Sequence, residues 1–273
     1  ADIYHFIGKD IVYHHFLFLP AMRLGLNSEY KLPDYIPTRG HLTLESKKIS
    51  KSRNWYIGLK EFLGYYPADY LRYYLIAINP YSQDDLNFDW NDFATRINSE
   101  LIGNLGNFVN RALGFTKKAF DGKVPEPESF DDKDSETEQK IKNLAADVGS
   151  LMEQNHLDRA LKKIMEFSSH FNQYFQHKEP WKKGPGTASC VFLSVNAVRS
   201  LAIAIFPFIP ESAQKIWKQL ALDGNVSELE WNEMSVLGIS PGHTLGEPSP
   251  LFAKVEASDI EKYKKQLNPS EEK

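Results

Sequence analysis

Ile3-Tyr4-His5-Phe6-Ile7-Gly8-Lys9-Asp10-Ile11, near the start of the chain, decides the architecture. The apolar-rich run to Ile7 reads as a central strand, Gly8-Lys9-Asp10 as a tight turn, and the residues to about position 25 as a helix. A strand feeding a helix through a glycine turn is an α/β unit, and such turns carry ligands at the carboxyl edge of a parallel sheet. Gly8 permits close approach of backbone to a ligand, and Asp10 offers two acceptors to vicinal hydroxyls. An ordinary turn before a helix gives the same short pattern. A strand that opens a sequence has no earlier partner, so the sheet is expected to be completed by upstream residues or by another chain.

Downstream, Pro33 and Pro37 mark a connector, residues 38–44 resemble a strand, and residues 45–53 form a polar, lysine-rich loop. Two short helical patterns follow, split by Pro67. From about residue 90 the period is helical throughout. Ile97, Leu101, Leu105, Phe108, Ala112, Phe115 and Ala119 mark one face of a long helix. Ser135 and Glu138 form a capping-box pattern ahead of Ile141, Leu144, Val148 and Leu151. Leu157 to Phe175, Val191 to Ile205 and Ala213 to Leu220 supply three more helices, the second stopped by Pro207. Amphipathic helices with short connections make a bundle. Residues 224–250 are irregular, a charged helix follows, and residues 268–273 have a disordered composition. The fold class expected is α/β plus all-α.

The 273 residues are 42% hydrophobic and 25% charged, with no run read as long enough to span a bilayer. With a net charge of -4, a nucleic-acid partner must be held by local basic patches. The single cysteine, Cys190, excludes an internal disulfide and a cysteine zinc site, and its apolar helical setting reads as inert core. Without a signal peptide the natural expectation is cytoplasmic.

Three strings carry chemistry. Lys48-Ile49-Ser50-Lys51-Ser52 sets two ammonium groups three residues apart among hydroxyls, a compact site for a polyphosphate, although an isolated string of this kind is more often a solvated loop. Such a loop is expected to be mobile and to order on the phosphate. The long helix carries Asn98, Asn104, Asn107 and Asn110 with Gly103, Gly106 and Gly114, a composition that works against helix stability. Asn107 and Arg111 are one turn apart and share a face suited to reading base edges. The competing reading is a polar face whose glycines admit a neighbouring helix. Lys178-Glu179-Pro180-Trp181-Lys182-Lys183 places an indole beside three lysines, a recipe for single-stranded RNA, or else an interhelical plug. Asp69-x-Leu71-Arg72-Tyr73-Tyr74 reads as structural packing, and His5, His41 and His243 share no ligand spacing.

Lys48–Ser52 resembles the KMSKS signature of class I aminoacyl-tRNA synthetases, with Ile49 where Met is usual. Tyr4–Ile11 and Pro20-Ala21-Met22 look like the corresponding segments of methionyl-tRNA synthetases. Asn107-x-x-x-Arg111 and Lys178-Glu179-Pro180-Trp181 resemble that family's anticodon-reading positions. The resemblance implies that Lys48 and Lys51 are catalytic, stabilising the departing pyrophosphate, and that Gly8, Asp10, Ser50 and Ser52 join them in binding ATP. It implies that Ile11 and His15 line the amino-acid pocket, and that Asn107, Arg111 and Trp181 contact the anticodon. Two positions depart from the family pattern beside that pocket, His14 for Phe and Leu19 for Trp.

The implied domains are residues 1–38, the second part of a Rossmann catalytic domain; 39–90, a stem-contact fold; and 91–273, a helical anticodon-binding domain with a C-terminal extension. The implied activity joins methionine and ATP, with Mg as a substrate ion, to an adenylate and transfers the acyl group to a tRNA bearing a CAU anticodon. The HIGH-type motif and the zinc-bearing insert of the family are expected upstream of residue 1, in an N-terminal catalytic half that is a missing segment or a separate chain. No membrane is involved. The alternative is a non-catalytic module that binds a tRNA anticodon. The Lys48–Ser52 string favours the ligase, because a pure binder has no use for a leaving-group clamp. A leucyl or valyl ligase is a distant third reading, opposed by the string at 178–181.

Overall fold

The computed structural model describes residues 1–26 and 29–267. Strand β1 (Ile7–Gly8) leads through a 3-10 turn (Lys9–Ile11) and one π turn (His14–Phe18) into α1 (Leu19–Gly25). β1 lies parallel to β2 (Thr38–Arg39), with Ile7 opposite Thr38, and a parallel bridge between Tyr4 and Tyr35 extends the pairing. Turn and helix fall as the sequence indicates, but the strand is only two residues long, and the single strand expected over 38–44 is divided at Gly40 and His41 between two sheets. The tail at 268–273 lies outside the described residues.

A second small sheet has the order β4-β3-β5, from β4 (Lys47–Lys48), β3 (Leu42–Leu44) and β5 (Leu86–Phe88). Here the expectation of a loop over 45–53 needs correction. Residues 42–48 form a hairpin whose two turn residues, Glu45 and Ser46, both have positive φ, 48° and 61°. That geometry suits a hairpin turn but normally calls on Asn or Gly, so Glu-Ser gives no signal. Tertiary bonds hold it instead. Ser46 N donates to Asn87 Oδ1 (2.6 Å), Glu45 N to Phe88 O (2.9 Å), and Trp90 N to the Glu45 carboxylate (2.9 Å).

Helices α2 (Leu59–Tyr65) and α3 (Ala68–Ala77) flank Pro67 and cover this sheet. The Asp69–Tyr74 string is structural. Asp69 is buried and accepts Ser212 N at 2.6 Å, while Arg72 donates to the carbonyls of Pro207 and Phe208 at 2.8 Å each. These bonds fix α3 to the entry of α9 (Pro210–Gln219), joining the sheet to the bundle.

The long helix spans α4 (Trp90–Arg96), ten residues of π-helix (Ile97–Gly106) and α5 (Asn107–Ala119). Asp89 caps it by accepting Asn91 N and Asp92 N. Asn98, Gly103, Asn104 and Gly106 fall in the π segment and Asn107, Asn110 and Gly114 in α5; the Asn104 carbonyl of the π segment accepts Asn172 Nδ2 at 3.0 Å. α6 (Asp132–Glu153) starts earlier than expected: its capping box is Asp131 with Asp134, and Ser135 lies inside the first turn. α7 (Leu157–Lys178) and α8 (Thr187–Ile205) complete the core. By length and composition α8 could cross a membrane, contrary to the sequence expectation, but 94% of its apolar window is buried inside the bundle. Cys190 sits within α8 with burial raising its thiol to about 12, which keeps it protonated and unreactive. Asn196 and Arg199 on α8 bind the irregular chain beyond Gly224 through the backbone of Ile239 and Glu233. Finally α10 (Ala257–Gln266) folds back beside α4, its Lys264 paired with Glu45 at 3.3 Å.

Candidate functional site

The carboxyl ends of β1 and β2 open onto a groove of about 370 Å³ lined in part by Ile7, Gly8, Arg39 and Gly40. Parallel strands present ligand sites at this edge. Gly40 is required by close approach, since a Cβ there would lie 1.9 Å from Asp84 O. A Cβ on Gly8 would meet Asp10 Oδ1 at 2.7 Å, so glycine lets the exposed Asp10 carboxylate sit over the turn. That free, paired-oxygen acceptor fits vicinal ribose hydroxyls. Lys9 is committed elsewhere, bonded at 2.7 Å to Asp85, which also accepts His41 N. The Lys9 ammonium, with the His41 amide, holds the Asp85 carboxyl below its usual range. Asp10, Ile11 and His15 do not line the groove; Ile11 and His15 are half-buried, with His15 Nδ1 3.1 Å from His5 Nδ1. His14 packs edge-on against Phe18. Arg39 is a groove residue that the sequence did not single out. It stacks over Tyr81 at 4.3 Å and donates to Asn155 O, and nothing in its local pattern announces either contact.

Lys48–Ser52 forms the far arm of the β3–β4 hairpin. Lys48 is in β4, and Ser50 pairs with Trp55 through two backbone bonds of 2.8 and 2.9 Å, closing a tight tip at residues 51–54. Ser50 Oγ and Ser52 Oγ lie 3.1 Å apart. Lys48 and Lys51 are exposed and have no ion-pair partner among the described residues. Unpaired ammonium groups can receive an anion without first breaking a salt bridge. Ile49, 38% exposed, lines an apolar cavity of about 150 Å³ with Leu42, Leu44, Phe62 and Phe88.

The second constellation lies where α5 meets α7. Asn107 Nδ2 donates to Asn172 Oδ1 and Arg111 to Gln176 Oε1, both at 3.0 Å. Both pairs advance by four residues together, so the helices run parallel and form a two-rung amide ladder. The Arg111 guanidinium lies 5.2 Å from the Phe175 ring and 5.9 Å from the Trp181 ring. Trp181 follows a left-handed Glu179 (φ 44°) in a 3-10 turn and remains 42% exposed. The ring packs in part on Phe175, with centroids 6.5 Å apart, and the exposed remainder is accessible for stacking. Lys178 is not available for phosphate, as its ammonium contacts Asp131 and Asp134 at 2.6 Å each and its side chain is only 10% exposed. Burial opposes its charge, but the two carboxylates outweigh that and raise its pKa. This buried clamp fixes the turn that presents Trp181. Lys182 pairs with Glu179 at 2.6 Å, which leaves Lys183 exposed.

Of the four asparagines, two are structural. Asn98 exchanges two 2.9 Å bonds with the Val255 backbone, and Asn104 donates to Met165 O. Asn107 and Asn110 are exposed. Asn172, Phe175 and Gln176 are site residues that the sequence reading missed. The available signal was the four-residue spacing of Asn172 and Gln176, matched to that of Asn107 and Arg111.

A hairpin with two unpaired lysines lies beside a short parallel α/β edge, and a helical unit with an exposed indole follows, an arrangement consistent with a class I aminoacyl-tRNA synthetase. Residues 1–113 match the family model described as tRNA synthetases class I (M), and residues 124–272 match that of the anticodon binding domain of methionyl tRNA ligase. The chain belongs to the methionyl-tRNA ligase family. It is 42% identical to methionine--tRNA ligase of Pyrococcus abyssi, over 94% of this chain and 36% of that protein. It is 41% identical to the ligase of Methanopyrus kandleri, over 97% of this chain and 39% of that one. It is similar in structure to Mycobacterium tuberculosis methionyl-tRNA synthetase in complex with methionyl-adenylate, with a TM-score of 0.81, 29% identity, and 91% of this chain and 49% of that chain covered. The chain thus spans well under half the length of these curated relatives.

Proposed function

We propose that these residues work as the C-terminal portion of a cytoplasmic methionine–tRNA ligase, completed by an N-terminal catalytic half. In this reading residues 1–38, 39–90 and 91–273 serve as the second part of the Rossmann domain, the stem-contact fold and the anticodon-binding domain. The observation that carries it is the Asn107–Arg111–Trp181 face, a braced guanidinium and an open indole on the same molecule as the unpaired Lys48 and Lys51.

In the mechanism, Gly8 and Asp10 hold the ATP ribose, the Asp10 oxygens accepting its two hydroxyls. Ile11 and His15 bound the side of the methionine pocket that this chain supplies. ATP arrives with Mg on its phosphates. As the methionine carboxylate attacks the α-phosphorus, negative charge builds on the departing pyrophosphate. Lys48 and Lys51, with the Ser50 and Ser52 hydroxyls, meet that charge more strongly than the ground state, which is what accelerates the step. Trp181 stacks on the first anticodon base while Asn107 and Arg111 read the edges of a CAU anticodon. The exposed apolar side chains of residues 4–35 support a further body covering this face rather than a stand-alone RNA binder.

The test is binding of the chain to anticodon stem-loops by fluorescence anisotropy. A CAU loop should bind more tightly than loops with altered anticodon bases, and Arg111→Gln should erase most of that preference. Equal affinity for every loop before mutation, or an equal loss for all after it, would reduce Arg111 to a phosphate contact and remove the anticodon reading.

A further inference from the structure

Between the π-helical segment and the chain that returns along it after Pro250 lies an open groove of about 540 Å³. Its size falls within the range of small-ligand sites. The helix lines it with Gly103 and Gly106, the returning chain with the Phe252 ring, and Asn107 and Asn110 stand at its exposed side. Gly106 admits the ring: a Cβ there would meet Phe252 Cδ2 at 3.1 Å. The ring is half-buried and also packs against Tyr70, with centroids 6.2 Å apart. It is therefore held in place while part of it faces the groove. The Asn110 side chain makes no hydrogen bond with any described residue, so its amide edge is free.

The groove is continuous with the face already described. Asn107 belongs to both, lining the groove while lying one turn from Arg111. An unpaired base needs an aromatic surface, a neutral amide that can donate and accept, and room for close approach. Phe252, Asn110 and the glycine-lined helix supply these three together, and no cation stands in the groove lining to favour a bare phosphate instead.

We propose that this groove holds one unpaired nucleotide of the same RNA loop, outside the triplet read by Asn107, Arg111 and Trp181. Its base lies against Phe252 and its edge toward Asn110. The inference rests on the anticodon-loop reading and extends the contact beyond the triplet.

The test combines protein variants with stem-loops carrying a single abasic site at each unpaired position in turn. Phe252→Leu keeps apolar bulk against Gly106 and Tyr70 but removes the ring, and Asn110→Ala alters an exposed side chain only. Phe252→Leu should weaken binding about tenfold, within the usual worth of base–aromatic stacking. One abasic position outside the triplet should weaken it similarly, and the two changes together should cost little more than either alone. Asn110→Ala should show a smaller loss coupled to the same position, which keeps the test decisive should Phe252→Leu lower the melting temperature. Losses that multiply at every position would overturn the proposal. If Trp181→Ala weakens binding and both groove variants leave it unchanged, the groove assignment alone fails. If Trp181→Ala is also silent, the anticodon-loop reading fails with it.

Discussion

Between residues 4 and 35 the large apolar side chains Tyr13, Met22, Leu24, Leu26 and Tyr30 are 63% to 77% exposed, whereas in α8 every residue from 189 to 205 is buried. The two regions are held by different means. Residues 1–57 rely on strands of two or three residues, a hairpin turn with two strained positions and one glycine contact, with few large side chains buried. The helical bundle rests on a continuous core from Phe93 and Ile97 to Ile216 and Trp217. Short strands that bury little are the first parts of a fold to open, while a packed core opens with the whole unit. The region with Lys48 and Lys51 is thus the looser one, and the region that presents Trp181 is the rigid one. That suits a loop expected to close on phosphate and a face expected to discriminate between bases.

The most severe challenge to this contrast is a cavity in the core. Phe171 is fully buried against Phe108, Phe167 and Tyr174. Phe171→Ala should cost about 3–5 kcal/mol and lower the melting temperature of the helical unit. A change no larger than that of a surface substitution would show that the bundle is not the stable body.

The chemistry should separate by region in a complete ligase. Lys51→Ala should slow adenylate formation by about 10²–10³ with tRNA affinity unchanged, as expected for a group that acts on transition-state charge. Trp181→Ala should leave that rate alone and weaken tRNA binding by about 1–3 kcal/mol, with little loss of stability because the ring is already 42% exposed. A large fall in melting temperature for Trp181→Ala would restore the plug reading.

Gly40→Ala sharpens the comparison from the weak side. Its Cβ would strike the Asp84 backbone, so the strand must move. Hydrogen exchange should show lost protection near residues 38–48 with the bundle amides unchanged. Spread of the loss into α7 and α8 would mean that the two regions unfold together.

The smallest expected effect concerns acid. The Lys178 ammonium, aided by the Asp134 amide, holds the Asp131 carboxyl below its ordinary value of 3.8. A depressed carboxyl pKa adds stability that is complete above the unfolded value and disappears as pH falls through the folded one. The melting temperature should therefore be insensitive to this pair above about pH 5 and decline below about pH 4. Asp131→Asn should flatten part of that decline, modestly, because the Asp131 side chain is 62% exposed and screened by solvent. An unchanged acid limb would remove the pair from the clamp that holds the Trp181 turn.

The sequence by itself determined whatever is written locally. Gly8 between an apolar run and a helix specified the α/β turn, and the spacing from Ile97 to Ala112 specified a buried helix face, because hydrophobic period and glycine geometry act over a few residues. The strings at 48–52 and 178–181 stand out by residue type and by their resemblance to family motifs. Only the tertiary structure decided which polar residues were free to act. Asn98, Asn104 and Lys178 looked like candidates for RNA, but Val255, Met165 and the Asp131–Asp134 pair claim them, from partners 44 or more residues away in every case. The left-handed Glu45-Ser46 turn likewise exists because Asn87, Phe88 and Trp90 satisfy it. A side chain's type sets which bonds it can make. Folding decides whether those bonds are used inside the molecule or left open for a ligand, because that depends on which distant groups are brought within reach.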